Sequence, residues 1–162
     1  MQQSVSFKVY YEDTDSLGVV YYANYFKFME RGRSEFLTAQ GRSVADWNAA
    51  GFLLVVHSVQ ATFKRPAVLG DTVDIVTSFT LPSVYRGRFA QRVERAGELL
   101  VDGIVDVVCL DAAQNLIEFP QQLRASPIEA RLYCGSRPVR ASRVPGPLPR
   151  GRRGRPGVRH AR

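Results

Sequence analysis

A single long amphipathic helical pattern, followed by four strand-like runs on short connections, most restricts how this chain folds. Tyr25, Phe28, Met29, Gly32 and Phe36 recur at helical spacing, with Lys27, Glu30, Arg31, Arg33 and Glu35 mostly opposite. Arg31 and Glu35 stand at the spacing of an intrahelical ion pair. With Asn24 as N-cap and Gly41 as stop, the helix runs from near Asn24 to Gln40, about four turns. Its apolar face is bulky and must be covered.

Ahead of it, Val5, Phe7, Val9 and Tyr11 alternate with Ser4, Ser6, Lys8 and Tyr10, the period of a strand with one buried face. Glu12, Asp13, Thr14, Asp15, Ser16, Leu17 and Gly18 then turn the chain, because such residues bond nearby backbone or relax its dihedral limits. After a short helical or irregular stretch at Val44 to Ala50, strand-like runs fill Leu53 to Lys64, Thr72 to Leu81, Tyr85 to Arg95 and Leu99 to Leu110. Turns are expected at Pro66 with Gly70-Asp71, at Pro82-Ser83 and at Ala96-Gly97-Glu98, all compatible with antiparallel neighbours. Pro120 ends the last strand region, and Ser126-Pro127 has the chemistry of a short closing helix to Tyr133. This order predicts an α+β layer arrangement, an antiparallel sheet wrapped around one long helix, while periodicity alone also admits other α+β folds.

The chain of 162 residues is long enough for one domain with a real core. Its net charge of +7 is concentrated at one end: Cys134 to Arg162 holds nine arginines and no acid, leaving thirteen basic against all fifteen acidic residues in 1–133. That stretch also has five of the nine prolines and five of the thirteen glycines, so it cannot bury enough surface to offset its chain entropy and reads as a disordered tail, 134–162, beside a domain at 1–133. An arginine-rich arm for nucleic acid or anionic lipid is the alternative, disfavoured because the segment lacks interleaved aromatics. No run approaches the roughly 18 apolar residues that cross a bilayer, and no signal peptide is evident, so a cytoplasmic protein is expected. Two cysteines, Cys109 in an apolar run and Cys134 beside a glycine, provide neither a disulfide framework nor metal-ligand spacing.

Chemistry concentrates between Tyr10 and Phe36, where a strand, an acidic turn and a helix start meet. Unpaired N–H groups at a helix N-terminus stabilise an oxyanion, and a carboxylate a few residues upstream can attack a carbonyl or activate water. That pairing suits acyl transfer from a thioester, whose thiolate leaves readily. On its own, Asp15 reads first as an Asx-turn or capping aspartate. Asp13 is a hydrogen-bonding supporter of Asp15 or a turn former, with the turn preferred. His57 reads as a satisfied strand histidine, and His160 falls in the tail. Glu30 reads first as an exposed or paired helix carboxylate; only its resemblance in position to enzymes that hold a catalytic carboxylate on such a helix makes it the second candidate acid.

Tyr11, Glu12-Asp13-Thr14-Asp15, Gly18-Val19-Val20-Tyr21, Asn24-Tyr25 and the helix from Phe26 to Leu37 resemble the signature of YbgC-type acyl-CoA thioesterases, in the 4-hydroxybenzoyl-CoA thioesterase family. The similarity continues in Phe63 to Asp71, Phe89 to Arg95 and Val107 to Asp111. It covers roughly Ser4 to Ala125 and implies a hotdog fold. It also implies that Asp15 is the catalytic aspartate, that the Tyr22 backbone N–H polarises the thioester carbonyl, and that Tyr11 is an active-site wall. Many relatives carry histidine at the position of Tyr22, an exchange that leaves a backbone donor intact. The resemblance further implies an acyl-CoA substrate without a separate cofactor or metal, and a homodimer or homotetramer with sites between subunits. Lys64, Arg65, Arg86 and Arg88 are then the basic candidates for the CoA phosphates. A non-catalytic module binding acyl-CoA or acyl carrier protein, associated with the Tol-Pal envelope system or lipid metabolism, is the alternative. No Asp and His pair of the kind used by hydratases of the same fold is present.

Overall fold

The computed structural model describes residues 2–124, so the tail at 134–162 and the closing helix expected from Ser126 to Tyr133 lie outside the described residues. Five long strands form one antiparallel sheet in the order β1-β3-β4-β5-β2: β1 Gln2–Lys8, β2 Leu53–Phe63, β3 Thr72–Ser83, β4 Arg86–Arg95 and β5 Glu98–Leu110. A two-residue strand, β6 Leu116–Ile117, pairs with the end of β5. Helix α1, Tyr22–Ala39, lies against β1, β3 and β4; α2 Val44–Ala49 and α3 Gln121–Arg124 are short. This is the hotdog arrangement of sheet around helix.

Alternation explains which face of the sheet meets the helix. Val73, Ile75 and Thr77 on β3, Phe89, Gln91 and Val93 on β4, and Val101, Val105, Val107 and Cys109 on β5 are buried at every second position. Against them α1 buries Tyr25, Phe28, Met29, Phe36 and Leu37. Complete burial of a Phe28 or Met29 side chain stabilises by about 1.5–3 kcal/mol each, so this one face holds the layer together. Burial pushes the Cys109 thiol up to about 11, as fits a core residue.

Several expectations shift. The helix begins at Tyr22, two residues before the predicted cap, because Asn24 sits inside the first turn and its amide donates to the Asp13 carbonyl at 2.9 Å. Strand alternation stops at Val9, since Tyr11–Asp13 forms a 3-10 turn that takes Tyr11 out of phase and leaves it 83% exposed. Pro82 lies within β3, not in a turn. Pairing passes from Thr80↔Arg88 to Ser83↔Arg86, so Pro82 occupies a bulge where a missing N–H breaks no ladder bond. The Ala96-Gly97 turn does form, with φ of 48° and 81°, the paired positive values of a tight hairpin. Arg31 stacks over Phe7 and Phe28 and makes no ion pair with Glu35; the helix pair is Glu30 with Arg33. Arg33, placed outward by periodicity, is buried.

No described helix is long and apolar enough to cross a membrane.

Candidate active site

The acidic turn folds against the start of α1 through backbone bonds that its own residue types favour. Tyr21 N–H donates to the Asp13 carbonyl at 2.9 Å, and the Asp13 carboxylate accepts the Tyr10 N–H at 2.9 Å. Asp13 is therefore the turn former. Asp15 N–H donates to Val19 at 2.9 Å, and Gly18, at φ 75°, donates to the Asp15 carbonyl at 3.0 Å. Only glycine adopts that φ without strain, so Gly18 closes the loop that carries Asp15.

One Asp15 carboxylate oxygen accepts the Leu17 N–H at 2.8 Å, an Asx turn. The other has no hydrogen bond among the described residues. The side chain is thus oriented by one oxygen and has a lone-pair set free on the other. The Asx reading and the catalytic reading are both compatible with this geometry, because the turn fixes the carboxylate without consuming it. Asp15 also lies near enough to Tyr21 to help raise that phenol's pKa, behind the larger effect of the Tyr22 side chain.

Helix α1 starts without a capping side chain: its N-cap is Tyr21, whose side chain accepts no bond from the first turn. Asn24 N–H is taken by the Tyr21 carbonyl, but the Tyr22 and Ala23 N–H groups have no acceptor among the described backbone bonds. Orphan donors at a helix start, together with the positive end of its dipole, are a receptor for a carbonyl oxygen gaining charge.

Beside this terminus is a cavity of about 260 Å³ lined by Val20, Tyr22, Tyr25, Phe63, Lys64, Arg65 and Pro66. A larger one, about 570 Å³, is lined by Phe52, Glu118, Phe119, Pro120, Gln121 and Arg124. Asp15 lines neither cavity, and the larger one shares no residue with the helix start, so size does not select it. The loop after β2 is tied to the smaller cavity: Ala67 N–H donates to the Tyr25 hydroxyl at 2.8 Å, and Val20 N–H to the Ala67 carbonyl at 2.8 Å. Arg95 anchors the same loop through Asp71 at 2.7 Å.

The four basic candidates separate into two groups. Lys64 and Arg65 line the cavity; Arg65 is held at 2.9 Å by Glu98, which also binds Arg95. Arg86 and Arg88 lie elsewhere. Arg88 is bidentate on Asp106, at 2.7 and 2.9 Å, and Arg86 stands 3.4 Å from His57 at the irregularity in β2. Cross-strand pairing of Arg88 with Asp106 explains the separation, since it turns that cation onto a carboxylate. Tyr11 lines neither cavity. Glu30 is engaged by Arg33. Among the described residues no group of His, Cys, Asp and Glu is placed to hold a metal ion.

Phe63 and Glu98 had no assigned role in the sequence. Phe63 was legible as the last inward position of β2, in phase with Val59 and Ala61; Glu98 had no such signal, because its two arginine partners meet it only in the folded sheet.

Comparison with known proteins agrees with this frame. The model of the thioesterase-like superfamily matches residues 9–130. The acyl-CoA thioesterase YbgC of Helicobacter pylori is 51% identical over 70 residues, which is 43% of this chain and 50% of that protein. The chain therefore spans about half the length of that relative. The YbgC thioesterase of Haemophilus influenzae is 31% identical over 123 residues, 74% of this chain and 89% of that one. Among solved structures, a 1,4-dihydroxy-2-naphthoyl-CoA thioesterase from Synechocystis aligns with a TM-score of 0.72 at 22% identity, covering 76% of this chain and 93% of its own, a likeness of fold.

Proposed function

The chain belongs to the thioesterase-like superfamily, and on that premise we propose that it hydrolyses acyl-CoA thioesters to the free acid and CoA. The observation that carries the reading is the uncapped start of α1, with free Tyr22 and Ala23 N–H groups, tied through Tyr21 and Asn24 to the turn that carries the half-bonded Asp15 carboxylate. In this reading the thioester oxygen takes the Tyr22 N–H, which holds the negative charge as the carbonyl carbon becomes tetrahedral.

Asp15 serves by one of two routes. As nucleophile its free oxygen attacks the carbonyl carbon, the C–S bond breaks, the CoA thiolate leaves with the electron pair, and water then cleaves the mixed anhydride. As general base it takes a proton from the water that attacks. A single turnover in isotopically labelled water separates them, since label found in the Asp15 carboxylate requires the anhydride. Lys64 and Arg65 at the cavity mouth are the cations assigned to the CoA phosphates; Arg86 and Arg88 have weaker claims, one beside His57 and the other neutralised by Asp106.

Assembly into a homodimer or homotetramer belongs to the same proposal. Strand β2 is an edge of the sheet, and Val55, Val56 and Val59 on it are 41–44% exposed, an apolar edge that a second copy would cover. A cytoplasmic location, and service to the envelope or lipid metabolism, are the expected setting.

The second reading, a module that binds acyl-CoA or acyl carrier protein without turnover, draws on the Asx turn that already occupies one Asp15 oxygen. Thiol release from a panel of acyl-CoAs by wild type and Asp15→Asn decides between them. Hydrolysis that falls about 100-fold or more in Asp15→Asn, with the fold kept, supports the enzyme. Binding without release by the wild type supports the module.

A further inference from the structure

We propose that Phe63 sets the size of the acyl group this site accepts, an inference that rests on the thioesterase reading above. Phe63 ends β2 and pairs with Val101, which places it on the helix side of the sheet. Its ring meets three aromatic residues among the first five of α1: Tyr22 edge-on at 6.2 Å, Tyr25 at 5.8 Å and Phe26 edge-on at 6.4 Å. Such edge and tilted contacts fix a ring without burying it. Phe63 remains 46% exposed while Tyr25 beneath it is 3% exposed. A ring held from below and open above is a wall of a cleft, not a member of the core.

That wall borders the cavity that reaches Tyr22. A thioester with its oxygen on the Tyr22 N–H has two arms to place. The phosphate-bearing arm is drawn to Lys64 and Arg65, which follow Phe63 directly along the chain. The acyl arm is left with the apolar surface of Val20, Tyr25 and Phe63. Tyr25 is pinned by its hydroxyl to the Ala67 N–H, so it does not yield. Phe63 has no polar anchor, and its volume alone decides how much space remains.

The test is thiol release from acetyl-, butyryl-, hexanoyl-, octanoyl- and decanoyl-CoA by the full-length wild type, Phe63→Ala, Phe63→Leu and Phe63→Trp. Each methylene newly accommodated in an apolar pocket is worth about fourfold. The octanoyl to butyryl ratio of kcat/KM should therefore rise about tenfold or more in Phe63→Ala, rise less in Phe63→Leu, and fall in Phe63→Trp. An unchanged ratio in those variants that keep the wild-type circular dichroism and a cooperative melt overturns the proposal. Loss of overall rate with the same chain-length profile also overturns it, while leaving the thioesterase reading intact. No release from any substrate by the wild type removes the reading itself, and the Phe63 assignment with it.

Discussion

Gln91, on the central strand β4, donates its side-chain amide to the backbone carbonyl of Met29 in the middle of α1 at 2.8 Å. The same amide group donates to the Thr77 hydroxyl at 3.0 Å, and its oxygen accepts from Arg33 at 2.9 Å. One fully buried side chain thus joins two strands to the helix and holds the inner end of a buried guanidinium. Gln91→Leu conserves volume but leaves the Arg33 donor without its acceptor, at a cost of about 2–4 kcal/mol. Chemical denaturation should show that loss with an unchanged m-value. A change below about 0.5 kcal/mol would mean that Arg33 finds another partner.

Helix and sheet also pack tightly one turn further on. A Cβ at Gly32 would sit 2.5 Å from Ile75 Cγ2 and 3.2 Å from the Thr77 hydroxyl. Gly32→Ala gains about 1 kcal/mol of helix propensity, yet overpacking against a buried β-branched side chain costs about 1–3 kcal/mol. A net destabilisation is expected. Ile75→Leu removes the branch in the way, so the double variant should be more stable than the two single effects added; simple additivity in thermal melts would show that the contact is relieved elsewhere.

These two contacts also mark what the sequence left hidden. The helix, the acidic turn and the four later strands were legible, because their signals are local: 3.6-residue spacing, alternation, and turn residues such as Ala96-Gly97. Periodicity places Arg33 outward beside Glu30; the acceptor that holds it inward, Gln91, is 58 residues away. Asn24 looked like a cap because asparagine is a capping type, but its partner is the Asp13 carbonyl, 11 residues back and brought close only by the folded turn. In the candidate site, the turn that carries Asp15 is legible from its residue types, whereas the roles proposed for Asp15 and the Tyr22 amide come from the family resemblance. The partition of the cations was not, since Arg88 meets Asp106 only through strand register.

That cross-strand pair has a pH consequence. The Arg88 guanidinium, bonded to the carboxylate, holds the Asp106 carboxyl below the usual carboxylate range despite its burial. A depressed folded-state pKa contributes stability that is fully present above the unfolded value of about 3.9 and is lost as pH falls through the folded value. Arg88→Met leaves Asp106 buried with its bidentate partner gone. It should destabilise by about 2 kcal/mol near neutrality, less than for a fully buried pair because the Arg88 head reaches solvent. The acid-unfolding midpoint should move to higher pH, as followed by circular dichroism; a midpoint at or below the wild-type value would show that Asp106 does not depend on Arg88.

The oxyanion assignment can be tested at a single atom. Tyr22 is the first residue of α1, the helical position where proline is best accepted, because its N–H has no intrahelical partner and helical backbone has a φ close to the proline value. The preceding residue, Tyr21, lies at φ −60° and ψ 131°, an extended conformation that a following proline favours. Tyr22→Pro therefore deletes the donor with little disturbance to the helix, whereas Tyr22→Ala deletes the side chain and keeps the donor. Loss of one such donor lowers kcat by about 100- to 1,000-fold in other acyl-transfer sites. The expected pattern is a drop of that size in Tyr22→Pro, a far smaller one in Tyr22→Ala, and melting temperatures within a few degrees of each other. Equal rates in the two variants would move the oxyanion away from the Tyr22 amide and make the Ala23 N–H the next donor to test.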